Sequence, residues 1–291
     1  MRLRLVSTIA LAWGLTLAAC GSSKSTSAGS GSSSASECGG VLTGIKKADG
    51  ITFTPTKAGT FTVVTSLPGP GFWDGGDTIS KITGGYEFCL SKALGLKLGL
   101  KSWTARDEKF QAITTGVVKD FDVALTQSSI TDERKQVVNF SDSYYKSDQS
   151  IIVRAGTKVP DLDTLKKLKL GAQTGTTGEF FANEMIKPTA TTQVFQDLTS
   201  AYTAVLAGQI DGVIMDTAIN LNQVKASGGK LDVPAQFAND DNYGIILPKD
   251  SKNVAAVNTA LKALTTDGVL TKLLASELGG DPSKVPFIKI G

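Results

Sequence analysis

Residues 113–134 read ITTGVVKDFDVALTQSSITDER, and residues 205–214 read VLAGQIDGVI. Both stretches share one plan: a helix end, a glycine that stops it, an apolar residue, an aspartate and a short apolar strand. Two such units far apart in the chain predict two α/β lobes built alike. Ligands of open α/β sheets bind beyond the carboxyl ends of strands. Residues 126–129, after the first strand, and Asp216, after the second, are therefore candidate site residues.

The chain around these units alternates strand-like apolar runs with amphipathic helix patterns from about residue 61. This alternation is typical of α/β layers with largely parallel strands. Two further stretches, NFSDSYYKSDQSIIVRAGT and DNYGIILPKDS, predict crossings between the lobes near residues 147 and 243, which would form a hinge. The predicted strands are FTVVTS, LKLGLK, FDVALT, KLGAQ, TTQVF and IDGVIM, and the predicted helices include YEFCLSKAL, EKFQAIT, EFFANEMI, LTSAYTAVLAG and TAINLNQVKA.

The N-terminal residues have a different composition from the rest of the chain. In residues 1–19, Arg2 and Arg4 precede an apolar stretch that ends in small residues, which is the pattern of a signal peptide. Its ending, LAAC, fits either an ordinary signal peptide with a chance cysteine or the lipobox of a lipoprotein, with the lipid on Cys20. The Ser/Gly-rich segment of residues 20–50 predicts a flexible tether, which favours a lipid anchor in a membrane.

Charge and residue types exclude several classes of function. Removal of Arg2 and Arg4 with the leader leaves 28 of the 30 basic side chains against 27 acidic ones, which argues against a nucleic-acid partner. The chain has no histidine, so Ser-His-Asp and Cys-His catalysis and the usual Cys/His zinc site are excluded, and no metal or cofactor is predicted. Cys38 and Cys89 could form one disulfide in an exported chain.

Arg134 stands at an unfavourable position in SSITDER. Thr131 is the predicted N-cap of a short helix, and a cation in the first turn opposes the helix dipole. Either its acidic neighbours neutralise Arg134, or the guanidinium is held for an anion. In a cleft it could bind a carboxylate bidentately, with hydroxyl groups from Ser128 or Ser129 beside it.

Two other stretches have a comparable ambiguity. GAQTGTTGEFF, residues 171–181, is either a tight turn or a strand, turn and helix start whose N–H groups, at Thr177 above all, bind an anion. Asp216 is either the N-cap of TAINLNQV, which the local pattern favours, or a carboxylate that faces a ligand cation. Combined with Arg134, these groups complement the α-carboxylate and α-ammonium of an amino acid.

SSITDER with NFSDSYY, GTTGEFF, IDGVIMD and YGIILPKDS resembles bacterial solute-binding proteins of the polar amino-acid ABC importers, over about residues 60–280. The resemblance implies a type II periplasmic-binding-protein-like α/β fold with two lobes joined by two hinge strands. Lobe 1 would comprise residues 51–147 and 245–291, and lobe 2 residues 148–244. It also implies a non-catalytic, extracytoplasmic monomer that delivers one free amino acid to a membrane permease with its ATPase.

The resemblance assigns roles to five positions. Arg134 falls on the arginine that binds the α-carboxylate, Ser129 on its hydroxyl partner and Thr177 on the N–H donor of the loop. Gln127 falls where a backbone carbonyl accepts from the ammonium. Asp216 falls on the carboxylate that binds the ammonium, which reverses the local preference for a simple cap.

The chain departs from the family pattern around the first loop, SLPGPGFWDGGD. Phe72 and Trp73 there could stack on the ligand or pack against their own lobe, and Cys89 stands where aspartate is frequent. Arg106 falls where members with acidic ligands carry an arginine, although it could equally be a solvated residue. Glutamate, glutamine and aspartate are therefore the expected ligands.

Two rival functions remain open at the sequence level. An enzyme resembling cyclohexadienyl dehydratase would need an acid or base in the cleft, for which Glu179 is the best candidate. A sensory or adhesive surface protein would bind an amino acid without delivering it.

Overall fold

The computed structural model describes residues 37–290, so the predicted signal peptide, Cys20 and most of the tether lie outside the described residues. The described part contains one mixed sheet with helices packed on it. Its strands are β1 Thr60–Thr65, β2 Ser102–Asp107, β3 Val123–Ala124, β4 Val138–Arg154, β5 Leu170–Gln173, β6 Gln193–Phe195, β7 Gly212–Asp216 and β8 Leu231–Pro248. Its α-helices are α1 Tyr86–Lys97, α2 Phe110–Thr114, α3 Asp132–Lys135, α4 Leu162–Lys167, α5 Thr177–Phe180, α6 Leu198–Leu206, α7 Thr217–Ala226, α8 Val254–Thr266 and α9 Val269–Glu277.

The order of the strands in the sheet is β2-β1-β3-β8-β4-β7-β5-β6. Strands β2, β1 and β3 are parallel to one another, and so are β7, β5 and β6. Between these two blocks, the long strands β4 and β8 pair with each other in antiparallel orientation. The predicted α/β alternation, the two similar units and the two crossing strands are thereby confirmed.

This topology brings polar side chains together. The carboxyl ends of the parallel strands in each block meet at one edge of the sheet, and residues that follow these strands face the region between the blocks. Strands β4 and β8 cross this region with their apolar residues buried, including Ile151 and Ile152 in β4 and Ile245 and Ile246 in β8. Irregular register in the β4–β8 pair, at Ser143 and again after Ser147, lies at the crossing itself.

One strand was placed wrongly from the sequence. The run LKLGLK, residues 96–101, was expected to be a strand, but α1 extends to Lys97 and the strand begins only at Ser102. Alternating Leu and Lys also fits the last turn of a helix, so the alternation alone does not distinguish the two. Gly99, with φ of 88°, supplies the left-handed conformation that ends the helix.

Two features tie the chain ends to the sheet. Cys38 and Cys89 form a disulfide that joins the residues before β1 to α1, which is the pairing that the sequence left open. Near the C-terminus, Gln236 in β8 donates from its N–H to Pro286 O, and its carbonyl accepts from the Ile288 N–H, both at 2.9 Å. The end of the range 245–291 therefore packs on the second block of strands. Between residues 37 and 290, no helix is long and apolar enough to cross a membrane.

Candidate functional site

Arg134 lies in the short helix α3, where Thr131 is the N-cap and its side chain accepts from the Arg134 N–H at 3.2 Å, as predicted. The Arg134 side chain turns inward and is 8% exposed. Its Nη1 donates to Ser128 Oγ at 3.2 Å and to Ser129 O at 2.8 Å. The Phe110 ring lies beneath the guanidinium, at 5.2 Å from Cζ to the ring centroid. A buried guanidinium group that is held in place by these contacts is suited to bind an anion, because its N–H groups can donate two parallel hydrogen bonds to a carboxylate.

Thr177 begins α5 on the opposite block of strands. Thr176 caps this helix by accepting from the Glu179 N–H, while the Glu179 carboxylate accepts from the Gly175 N–H at 2.7 Å. The cap fixes the turn so that it meets Arg134, whose Nη2 donates to Gly175 O at 2.9 Å. The Thr177 Oγ1 also lies 3.4 Å from Ser129 Oγ. Arg134, Ser129 and Thr177 are therefore brought together across the two blocks.

Asp216 ends β7 and precedes α7, but its side chain makes no capping hydrogen bond. The carboxyl group instead accepts from Gln149 Nε2 and from the Tyr243 hydroxyl. It is fully buried, and burial raises its pKa to about 7, with the nearby Asp241 acting in the same direction. The local preference for a simple cap is thus wrong, because the Asp216 carboxyl group turns toward Gln149 and Tyr243 instead of the start of α7.

The electrostatics of the site connect its two sides. Burial lowers the pKa of Arg134, while the negative charges of Asp216 and Asp241 are the main opposing influence. Arginine remains protonated in proteins at any physiological pH. A permanent cation on the first block therefore faces the carboxyl groups of Asp216 and Asp241, and its charge lowers the pKa of Asp216 against the effect of burial.

Gln127 follows β3 and has a left-handed backbone, with φ of 47°. Its N–H donates to Glu87 Oε1 at 2.8 Å, and its side-chain amide donates to the other oxygen of the same carboxyl group. Glu87 also accepts from the Trp73 indole at 3.0 Å and from the Tyr144 hydroxyl. This buried carboxyl group fixes the backbone turn that carries Gln127 to the edge of the site.

Three residues that the sequence proposed as possible ligand contacts, Arg106, Phe72 and Trp73, are engaged with other parts of the protein. Arg106 donates to Glu108 and to the carbonyls of Lys119 and Asp120, with 39% of its side chain exposed. Phe72 and Trp73 are fully buried. Phe72 packs against the rings of residues 86, 145 and 243, and the Trp73 ring packs against those of residues 88 and 103. Of the two alternatives raised by the sequence, the structure places this pair in the aromatic core.

A cavity of about 310 Å³ lies between the two blocks of strands, and Phe110, whose ring lies beneath the Arg134 guanidinium, is one of its lining residues. It opens at the strand ends, which is where open α/β sheets bind ligands. A wider groove, which Arg134 and Thr177 themselves line, runs between helices and lacks that relation to the sheet. The polar side chains that line the cavity are Ser66, Asp107, Glu108, Lys109, Thr126, Gln127, Gln173, Gln196 and Asp197.

Sequence reasoning missed Gln149, Tyr243 and Asp241, which complete the surroundings of Asp216. All three lie on the crossing strands β4 and β8. The available signal was a polar residue beside a buried apolar run, as in DQSIIV and DNYGIIL. The polar residues of the crossing strands thus face the region between the blocks, in addition to connecting the two sides.

The chain belongs to the bacterial extracellular solute-binding proteins, family 3, whose family model matches residues 78–279. A probable histidine-binding protein of Neisseria gonorrhoeae is 31% identical over 205 residues, which cover 67% of this chain and 74% of that protein. The lysine/arginine/ornithine-binding periplasmic protein of Escherichia coli is 32% identical over 209 residues, covering 65% and 76%.

Among solved structures, similarity extends to the ancestral amino acid-binding protein AncCDT-1, described as a precursor of cyclohexadienyl dehydratase. The TM-score is 0.65 at 25% sequence identity, and the match covers 76% of this chain and 96% of that one. The fold is thus the type II periplasmic-binding-protein fold, in which two α/β lobes are joined by hinge strands. Both curated relatives are named for amino-acid binding.

Proposed function

We propose that this protein captures one free L-amino acid between its lobes, residues 51–147 with 245–291 and residues 148–244, and delivers it to the permease of an ABC importer. One observation carries the proposal: buried Arg134, from one lobe, bonds to the Gly175 carbonyl beside Thr177, and Gln149 connects Thr177 to buried Asp216 of the other lobe. An α-carboxylate suits the first group and an α-ammonium the second. A ligand that holds both charges would stabilise the closed arrangement.

The cavity favours a cationic side chain on the ligand. Three of its charged lining residues are acidic and Lys109 is basic; Glu108 pairs with Arg106, which leaves Asp107 and Asp197 as the acidic residues of the cavity without an ion pair among the described residues. Burial raises the pKa of Asp107. A ligand cation near this carboxyl group would lower its pKa again, because an opposite charge favours the ionised form. The expectation of an acidic ligand depended on Arg106, whose guanidinium is engaged by Glu108 and two backbone carbonyls. Arginine, lysine or histidine is therefore the preferred ligand class, which agrees with the names of the two relatives.

Glutamine is the second candidate. Three amide side chains line the cavity, those of Gln127, Gln173 and Gln196. Amides donate and accept, so they can pair with a ligand amide without any charge.

Isothermal titration against the twenty amino acids tests this function. We expect tight binding of one or more cationic amino acids, weaker binding of glutamine and no binding of glutamate. The variant Asp107→Asn keeps an acceptor for the Leu67 N–H that Asp107 now holds. It should weaken arginine binding roughly tenfold while leaving glutamine binding unchanged. Absence of binding to every amino acid would refute the proposed function.

The predicted lipid anchor belongs to the same proposal. Cys20 would carry the lipid at the outer face of the cell membrane, and the Ser/Gly-rich tether would let the lobes reach the permease. In cells, Cys20→Ala should move the protein from the membrane fraction into the medium or periplasm. Unchanged membrane association would rule out lipid attachment at Cys20.

The enzymatic rival has weaker support. Glu179, its best candidate acid, accepts from the Gly175 N–H as part of the cap of α5. We expect the protein to bind an amino acid and to show no turnover of prephenate or arogenate.

The sensory rival is tested in cells. Loss of amino-acid uptake on deletion of the gene would separate delivery from sensing.

A further inference from the structure

Gln149 makes an unbalanced set of contacts beside Asp216. Its Nε2 lies 3.3 Å from Thr177 Oγ1 and 2.9 Å from Asp241 Oδ2, and it also donates to Asp216 Oδ1. A side-chain amide has two N–H groups, so three acceptors exceed what it can satisfy. Its own oxygen, Oε1, is buried and has no hydrogen-bond partner within residues 37–290. The surroundings therefore offer more acceptors, and fewer donors, than an amide requires.

An alkylammonium group has three N–H donors and no acceptor. It matches the three oxygens around Gln149 Nε2 and leaves no acceptor of its own unpaired. The position of Gln149 Nε2 also lies between two acidic side chains, those of Asp216 and Asp241. Both residues are buried, with exposed fractions of 1% and 8%. A cation there would offset the repulsion that Asp241 exerts on an ionised Asp216.

We propose that Asp241 is a second carboxylate of the ammonium site, and that the ligand's α-ammonium takes the point now held by Gln149 Nε2. The Gln149 side chain turns away as the ligand enters. This inference rests on the proposed amino-acid binding and assigns to the hinge strand β8 a direct part in it. Asp241 also accepts from Asn239 Nδ2 at 2.7 Å, which holds its carboxylate in place from the same strand.

The neighbouring acidic residue provides a matched control. Asp240 precedes Asp241 in β8, but its side chain is 98% exposed and pairs with Lys146 at the surface. Asp241→Asn removes the buried charge and keeps an oxygen that can accept from Asn239. Asp240→Asn makes the same chemical change in solvent, one residue away.

The experiment is isothermal titration of wild type and both variants with arginine and with 5-guanidinopentanoic acid, which is arginine without its α-amino group. Asp241→Asn should weaken arginine binding by roughly ten- to a hundredfold and leave the Kd of the des-amino acid unchanged. Asp240→Asn should leave both constants within about twofold of wild type. Unchanged arginine binding in Asp241→Asn, or an equal loss for both ligands, would overturn the proposal. If wild type binds no amino acid at all, the proposed function fails as well.

A pH profile gives a second readout that a purely structural role would not move. The ionisable groups around Asp216 are Asp241, Arg134 and the hydroxyl groups of three tyrosines, Tyr145, Tyr202 and Tyr243. Of these groups, only Asp241 changes in Asp241→Asn. Because the charge of Asp241 raises the pKa of Asp216, its removal should lower that pKa. The pH at which arginine affinity reaches half of its pH-dependent change should therefore be lower in Asp241→Asn than in wild type. An unshifted midpoint would count against the assignment.

A second variant keeps the proposal testable if Asp241→Asn does not fold. Gln149→Met fills a similar volume without N–H donors, so it removes the side chain that competes for the site. Arginine should bind to this variant as tightly as to wild type, or a few times more tightly. A tenfold loss would show that Gln149 contacts the ligand directly and would contradict its displacement.

Discussion

At the residue scale, the role proposed for Asp216 predicts that ligand binding depends on pH. Burial raises its pKa to about 7, so the free protein holds a proton there below neutral pH. An ammonium beside it favours the carboxylate and lowers that pKa, so binding below pH 7 must release a proton.

We therefore expect affinity to rise with pH up to about 7 and then level off, with a loss of at most about tenfold per pH unit below that point. Calorimetry at pH 6 in buffers of different ionisation enthalpy measures the proton directly. Equal affinities at pH 6 and 8 with no proton released would contradict this role for Asp216.

Glu87 predicts a second pH effect, on stability. Burial raises its pKa from 4.5 to about 7, against the hydrogen bonds from Tyr144, Gln127 and Trp73. The folded state then binds a proton more tightly than the unfolded state, so the free energy of unfolding falls as pH rises from about 4.5 to about 7. The difference is on the order of 3 kcal/mol for this residue, and Asp216 acts in the same direction.

Denaturant unfolding between pH 4.5 and 8 measures this dependence. Glu87→Gln should remove about half of the slope, because Asp216, whose pKa is raised to a similar value, would still titrate in that range. The exposed Glu184→Gln is a suitable control and should leave the slope unchanged. A Glu87→Gln slope as steep as that of wild type would mean that Glu87 does not take up a proton on folding.

At the scale of elements, the disulfide fixes the start of the folded chain to α1. Its two cysteines are 51 residues apart, and closing a loop of that length contributes about 4 kcal/mol in the chain-entropy model. The double variant Cys38→Ser/Cys89→Ser should therefore unfold at a clearly lower denaturant concentration. Reducing agent should lower the wild-type midpoint by a similar amount and leave the variant unaffected. An unchanged midpoint in the variant would show that the bridge adds no stability.

Much of the element pattern could be predicted because hydrophobic periodicity is local. Helices α6 and α7 and strands β1, β5 and β7 lie within one or two residues of the expected runs. Strand β2 was misplaced because Leu/Lys alternation fits both a helix end and a strand. Arg134 could be singled out because its conflict with the helix dipole is local too.

Other parts of the site depend on contacts that no local pattern contains. Asp241 and Gln149 meet only because β4 and β8 pair in one particular register, across 92 residues of sequence. The alternatives for Phe72, Trp73 and Arg106 stayed open for the same reason, since loop packing is decided by the tertiary structure.

At the scale of the whole molecule, the two lobes are connected through β4 and β8, and the C-terminal residues add a third link at Gln236. The direct contacts across the site are few, chiefly Arg134 to Gly175 and Ser129 to Thr177. A few hydrogen bonds contribute little net stability, each about 1 kcal/mol. Closure should therefore depend on the ligand, whose two charges join Arg134 to Asp216.

The most direct test of this account is the affinity of Arg134→Ala for the best ligand of the wild type, measured by isothermal titration. Arg106→Ala is the matched control, because Arg106 donates to Glu108 and to the turn at Lys119 and Asp120. We predict that Arg134→Ala loses at least about a hundredfold in affinity while remaining folded, and that Arg106→Ala binds like wild type. Wild-type affinity in Arg134→Ala would contradict the claim that Arg134 and Asp216 hold an amino acid between the two lobes.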